Sequence, residues 1–597
     1  MSKRPHRLHF SDLGRDIAGN PDESIFANAR RQGVRIVGAC GGRGACGSCL
    51  VRIAEGRVEG HDGEGRDWRK KWQRACRVAA RSDCVVEIAP RSLAPVARAE
   101  VEADRAETLD LDPRVRAVDV TLAEASLEDP SADAERLMRA LPAAIDRIEL
   151  AAARALPALL RGNRWSVRAR IRDDAVISVA KPGSRTLGLA VDLGTTNVAA
   201  FLIDLESGGR LAGIGIENPQ AAWGADVISR INYAVKTPGG GEELRIAIVA
   251  GLNALAHDLC HAVGLDKADI VDAVICGNAA MHHLLTGLPV HQLGKAPFVA
   301  AVQGGMDVRA SDLGIAICPD AQIHLVANIG GFVGGDHVTA LLATEERWRT
   351  GTSLVMDIGT NTEISLIHNG RLISASCPSG PALEGGHISC GMRAAQGAIE
   401  RVTEADGRIA VKTIGGLAPV GLCGSGVLDA LAAFHQAGIV DDRGRIAAHH
   451  PDVAEIDGKR AVVLAPGVYF TQDDVRAVQL AKAAIRTGTE LLLREAGLQE
   501  SDIARFIIAG AFGSYIDVKS GIAIGLFPDL PADCFEQVGN AAGLGVRRML
   551  ASKKDLARAD QLATACRYVE LSSNKEFQKT FLSCIGFPAD SALRKAS

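Results

Sequence analysis

An internal repeat constrains this chain more than any other feature. The string Leu189-Ala190-Val191-Asp192-Leu193-Gly194-Thr195-Thr196-Asn197 recurs 165 residues later as Leu354-Val355-Met356-Asp357-Ile358-Gly359-Thr360-Asn361-Thr362. In each copy a buried strand runs into an Asp-x-Gly-Thr turn and out into a second apolar strand, 198–203 or 363–367. One such turn says little, because Asp and Gly are ordinary turn residues. Two in equivalent strand contexts predict a duplicated α/β unit. A tight hairpin exposes backbone N–H groups and threonine hydroxyls at its tip, where they can grip a phosphate. Asp192 and Asp357 are therefore the candidate catalytic carboxylates, able to hold Mg²⁺ through its waters. Gly194, Thr195, Thr196, Gly359, Thr360 and Asn361 are the candidate phosphate contacts.

A third element follows in Phe506-Ile507-Ile508-Ala509-Gly510-Ala511-Phe512-Gly513-Ser514, an apolar strand entering a turn of small residues. It resembles the adenosine motif of the actin, Hsp70 and sugar-kinase superfamily, and the order of the three motifs is the superfamily's order. The resemblance implies a duplicated RNase H-like ATPase region that binds ATP with Mg²⁺, with Gly510, Ala511, Phe512 and Gly513 at the nucleotide. Gly424 and Ser425 open a helix, where free N–H groups suit an anion equally as well as a simple cap. Asp336 opens another, as either a magnesium ligand or an N-cap. His282, His283 and His337 lack metal-ligand spacing and read as structural. Lys482 and Arg486, four residues apart on a helix over 473–494, read either as nucleotide contacts or, more usually, as a solvated face.

The N-terminal region carries different chemistry. Cys40, Cys46 and Cys49 form a C-x5-C-x2-C run, and Cys76 follows after 26 intervening residues. Four thiolates can hold an iron–sulfur cluster. Glycines 41, 42, 44 and 47 let the loop wrap closely and aim N–H groups at the sulfides. Structural zinc prefers two short ligand pairs, which this spacing lacks. Cys84, in an apolar strand, reads as a small buried residue. The pattern resembles the adrenodoxin and plant-type ferredoxin family, a β-grasp fold holding a 2Fe–2S cluster at low potential, with the five-residue first gap of the adrenodoxin branch. No flavin or nicotinamide fingerprint follows, so an external electron donor protein is expected to load the cluster.

Composition narrows the rest. Of 597 residues, 67 are basic and 71 acidic, so no basic face recommends a nucleic-acid partner. The glycine-rich uncharged run 413–428 is too short to span a bilayer, and the N-terminus has no apolar signal core. Fourteen cysteines with five among the first 84 residues suit metal ligation in a reducing cytoplasm better than disulfides. The expected organisation is a ferredoxin-like domain at 1–90, a linker at 91–113, a small α/β middle domain at 114–184 with no recognisable chemistry, and the ATPase domain at 185–597.

An electron-carrying domain fused to an ATP clamp resembles the reductive activators of corrinoid-dependent enzymes. Further strings carry that resemblance: Asn218-Pro219-Gln220, 224–230 ending in Arg230, Gly277-Asn278 through Leu284, 379–386, and 479–486. It implies ATP-dependent transfer of an electron to the Co(II) corrinoid of a methyltransferase corrinoid protein, restoring Co(I), with a homodimer as the family-level expectation. The 379–386 segment reads either as facing that partner or as a plain surface turn. Alternatives are an activator of radical dehydratases, which usually holds its cluster between subunits, and a small-molecule kinase with an iron–sulfur appendage.

Overall fold

A computed structural model describes residues 5–34, 36, 49–60, 72–89, 92, 97–98, 109–224, 226–405, 408–510 and 512–588. At the N-terminus a five-stranded sheet runs in the order Arg15–Gly19, His6–Phe10, Cys84–Ile88, Leu50–Glu55, Gln73–Arg74. Its first and last long strands lie parallel at the centre, with Leu8 opposite Cys84, and hairpin pairs flank them. Helix Ile25–Arg31 starts at Ser24, whose side chain accepts the Ala27 N–H, and it buries Ile25 and Phe26 against the sheet. The sequence reading missed edge strand Arg15–Gly19, because Arg-Asp-Ile-Ala-Gly shows one large apolar residue and no alternation to detect. Cys84 is 3% exposed and its thiol is pushed up by burial, a core residue as expected.

The middle unit is a sheet ordered Arg147–Ile148, Ala175–Ala180, Ser166–Arg172, Val115–Thr121, with helices Asp133–Ala140 and Leu150–Gly162. Arg147 and Ile148 pair with Ala175 and Val176, and the second helix begins only at Leu150. Three arginines fix this unit to its neighbour: Arg114 lies 2.6 Å from Asp272 and 2.7 Å from Asp307, Arg170 2.5 Å from Asp269, and Arg172 3.5 Å from Asp272. Residues 97–98 of the linker add a short strand to the edge of Arg210–Glu217.

The remaining chain is a duplicated pair of lobes. In the first, strands Leu187–Leu193, Asn197–Asp204 and Arg210–Glu217 form an antiparallel meander, and Ile270–Gly277 and Gln322–Leu325 extend it in parallel beside Leu187–Leu193. The second repeats this with Ser353–Ile358, Thr362–His368 and Arg371–Cys377, extended by Arg505–Ala509 and Phe535–Gly539. These near-continuous apolar strands are those of a sheet covered on both faces. Long helices Gly240–Ala262 and Gln472–Ala496 occupy equivalent places, each before the strand that pairs in parallel with the first strand of its lobe. Between the lobes, helices Gly335–Ala343 and Ala541–Ala551 pack so closely at Gly545 that a Cβ there would stand 2.0 Å from the Thr339 carbonyl oxygen.

Candidate functional site: a nucleotide clamp and a thiolate pair

The two Asp-x-Gly-Thr turns, 165 residues apart in sequence, meet between the lobes. Thr196 Oγ1 and Thr360 Oγ1 are 2.7 Å apart. Each tip is braced from behind. Asn218 Nδ2 donates to the Gly194 carbonyl at 2.8 Å, and Asn278 Nδ2 donates to Thr195 Oγ1 at 2.8 Å. The fully buried Arg230 guanidinium donates to the Thr195 carbonyl at 2.5 Å and to Gly224 at 2.9 Å. Burial lowers that guanidinium to about 10. On the second tip, Ser379 Oγ donates to the Gly359 carbonyl at 3.2 Å and sits 2.9 Å from Thr362 Oγ1.

Around the tips stand five carboxylates. Asp192 ends the first strand of one half and Asp357 the first strand of the other. Burial, then the charge of Asp336, pushes Asp192 up to about 7. Burial with the charges of Asp336, Asp192 and Glu384 pushes Asp357 to about 8, and burial takes Asp336 to about 6. Glu363, cross-strand partner of Asp357, is raised well above its ordinary range by burial and by Asp336 and Asp357. Glu384 is raised by burial while Thr360 Oγ1 donates to it at 3.1 Å. Like charges sunk together without a cation favour the protonated forms, so this cleft is built for a positive charge.

Asp336 resolves its two readings. The helix N-cap position is Gly334, with no side-chain cap, and the Asp336 carboxylate faces the cluster. At the adenosine strand, Gly510 has φ +93°, and a Cβ on it would lie 2.7 Å from Asp357 Oδ1. The Phe512 ring packs on Gly424, where a Cβ would come within 2.4 Å of a ring carbon. Gly513 accepts a hydrogen bond from Gln537 Nε2 at 2.6 Å. Ser425 caps nothing; its hydroxyl donates to the Glu400 carbonyl at 3.0 Å. Asn361 supplies a backbone oxygen 3.3 Å from where a Gly359 Cβ would be. Ala511 lies outside the described residues.

Two expectations are corrected. Lys482 is neither solvated nor at the cleft: it is 2% exposed, donates to the Gly586 carbonyl and lies 5.3 Å from the Phe587 ring centroid, so it docks the C-terminal segment. Arg486 pairs with Glu500. Segment 379–386 is no surface turn, since Ser379, Ala382 and Leu383 are buried and Glu384 joins the clamp. The histidines are structural as read. His283 accepts the Ala301 N–H at 2.8 Å, and His337 Nε2 lies 2.7 Å from Ser365 Oγ. Sequence reasoning overlooked Glu363, although a lone acid between apolar strand residues is a legible signal.

In the N-terminal sheet, Leu50 pairs with Arg74, and the Ala75 N–H donates to the Cys49 carbonyl at 2.7 Å. This pairing brings Cys49 and Cys76 together, with Sγ atoms 3.3 Å apart and both buried. Cys40 and Cys46 lie outside the described residues.

Fold and site define an actin/Hsp70-like ATPase joined to a ferredoxin-like domain. Family models agree along the chain. The C-terminal domain of RACo, its ASKHA domain, matches residues 351–595, the RACo middle region 187–346, the RACo linker region 104–186, and a 2Fe-2S iron–sulfur cluster binding domain 9–81. The corrinoid activation enzyme RamQ of Eubacterium limosum is 32% identical over 607 residues, covering 96% of this chain and 98% of RamQ. The [Co(II) methylated amine-specific corrinoid protein] reductase of Methanosarcina barkeri is 25% identical over 428 residues, 66% of this chain and 76% of that protein. A solved reductive activator for corrinoid, iron-sulfur protein superimposes with TM-score 0.73 at 32% identity, covering 98% of both chains. The chain belongs to the RACo family. It binds an iron–sulfur cluster and a nucleotide.

Proposed function

We propose that this protein is an ATP-dependent reductive activase, returning the Co(II) corrinoid of a methyltransferase partner to Co(I). The observation that carries the reading is the joining, on one chain, of a buried cysteine pair and a two-lobed clamp whose threonines touch amid five carboxylates. When bound, the cluster supplies a single low-potential electron. Moving one electron uphill by 100 mV costs about 2.3 kcal/mol, which is the reason to join the transfer to ATP hydrolysis.

Each residue has a part. Cys49 and Cys76, 3.3 Å apart, would hold the cluster together with Cys40 and Cys46. The tips Gly194–Thr196 and Gly359–Asn361 hold the phosphates from opposite lobes. Asp192, Asp336 and Asp357 would hold Mg²⁺, whose charge would offset the burial and mutual repulsion that raise all three. Gly510 and Phe512 shape the adenosine end, with Gly424 under the Phe512 ring. An external protein donor reduces the cluster, and the cytoplasm is the compartment that suits its thiolates.

Anaerobic reduction of a purified Co(II) corrinoid protein, followed optically with reductant present, tests this. Cobalt reduction is expected to require Mg·ATP. The same rate without nucleotide overturns the reading.

A further inference from the structure

One charge cluster lies outside the nucleotide clamp yet joins the N-terminal unit to both lobes. Glu217 ends the strand Arg210–Glu217, beside Asn218, whose N–H donates to the Thr196 carbonyl at 2.9 Å. Its carboxylate has two claimants. Arg30, in the helix Ile25–Arg31 of the N-terminal unit, places Nε 3.1 Å from Oε2. Arg393, from the second lobe, places a terminal nitrogen 3.0 Å from Oε1. Glu217 is about four-fifths buried (18% side-chain exposure), so neither contact is a fully solvated one. The buried Arg230, which grips the first tip, feels both Arg30 and Glu217. Arg393 in turn acts electrostatically on Glu384 at the second tip.

Two guanidiniums on one carboxylate each attract it and repel each other, so each weakens the other's hold. The geometry shows this competition. Arg30 Nε is within ion-pair distance of Glu217 but makes no aligned hydrogen bond. Beside that ion pair the helix Ile25–Arg31 packs along the turn Pro219–Ala222, the Arg31 guanidinium lies 5.5 Å from the Trp223 ring centroid, and Gly33 abuts Gly251. Docking of that unit therefore includes an ion pair whose strength Arg393 can change.

We propose that Glu217 is a positioning residue linking lobe closure to release of the iron–sulfur unit: with the two tips touching, Arg393 of the second lobe reaches across to it. Separating the lobes withdraws Arg393 and leaves Glu217 wholly to Arg30, tightening the seat. Closing them returns the competitor and loosens it. The inference rests on the nucleotide-driven clamp proposed above.

Trp223 lies in the seat itself, so its fluorine resonance in full-length, cluster-loaded, oxidised protein labelled with 5-fluorotryptophan reports docking; Trp223→Phe assigns it and Arg31→Gln marks the undocked position. A non-hydrolysable ATP analogue with Mg²⁺ is expected to move the docked-to-undocked ratio about fivefold toward undocked, the size of one half-buried ion pair. Arg393→Gln should stay docked and lose the nucleotide response, with Arg393→Lys restoring part of it. Glu217→Gln and Arg30→Gln should lie toward undocked in both states. ATP hydrolysis by the unsubstituted protein is measured alongside. If it hydrolyses ATP while the Trp223 resonance ignores both nucleotide and Arg393→Gln, the linkage is wrong and the clamp stands. If it neither binds nor hydrolyses ATP, the clamp falls and the linkage with it.

Discussion

Replacing Asp357 with asparagine should make the nucleotide-free protein more stable while crippling the clamp. Asp357 is held at about 8, against 3.8 for a free aspartate, by burial and by Asp336, Asp192 and Glu384. Between those values the folded protein keeps a proton that the unfolded chain releases. Stability of the natural protein therefore falls as pH rises through that window, by up to about 1.4 kcal/mol per pH unit, and levels off above about 8. At pH 7 the part of the shift between 3.8 and 7 corresponds to about 4 kcal/mol. Asp357 is only half-buried, and water in the cleft screens it, so about 2 kcal/mol is the expected gain from the isosteric neutral side chain. For a region of this size that is an upward shift of about 2–3 °C in the melting of the nucleotide-binding lobes, measured in chelator. The shift should grow between pH 6 and pH 7.5. Magnesium should reverse the order: Mg·ATP stabilises the natural protein, whereas Asp357→Asn should bind the cation roughly 10–100-fold more weakly. The transition to follow is the nucleotide-sensitive one, because several domains need not melt together. A variant no more stable than the natural protein in chelator, or a gap that narrows with rising pH, would refute an uncompensated acidic cleft.

Two further outcomes are expected. Gly510→Ala forces a side chain into left-handed backbone, costing roughly 1–2 kcal/mol, and drives its methyl against Asp357. Nucleotide affinity measured by calorimetry should drop about tenfold or more, with the cluster's visible absorption unchanged. Lys482→Met removes the hydrogen bond to Gly586 and leaves that carbonyl unpartnered, at a cost of roughly 1–3 kcal/mol. Limited proteolysis should then cut the segment around Gly586 sooner while ATP turnover at saturation holds, since the ammonium is not at the cleft.

The duplicated strands were legible because each is an unbroken apolar run ending in the same four-residue turn, a pattern that needs no partner to be recognised. Asp336 stayed ambiguous, since whether an acid at a helix start caps it or faces away depends on what lies opposite. Here that is Asp192 and Asp357, distant in sequence. Lys482 misled for a related reason. Polar neighbours on its helix suggested a wet face, but the segment that covers it arrives about a hundred residues later, where the Gly586 carbonyl meets it. Glu384 was hidden inside a string of glycine and proline that reads as a turn, and only the threonines it faces disclose its place. Glu217 had no signature at all, since one glutamate gains meaning only from two arginines in other parts of the chain.

The short strand at residues 97–98 sets a leash. Its pairing with Ala212 and Gly213 anchors the chain to the rim of the first lobe, and only seven residues, 90–96, separate that anchor from Ala89 at the end of the N-terminal sheet. Ser92 is itself held to that sheet, its Oγ accepting the Leu50 N–H at 2.9 Å, so the stretch between fixed points spans at most about 18 Å. While the anchor holds, the electron carrier can swing only through a small sphere around one edge of the clamp, and a cobalt centre must be brought inside it to be served.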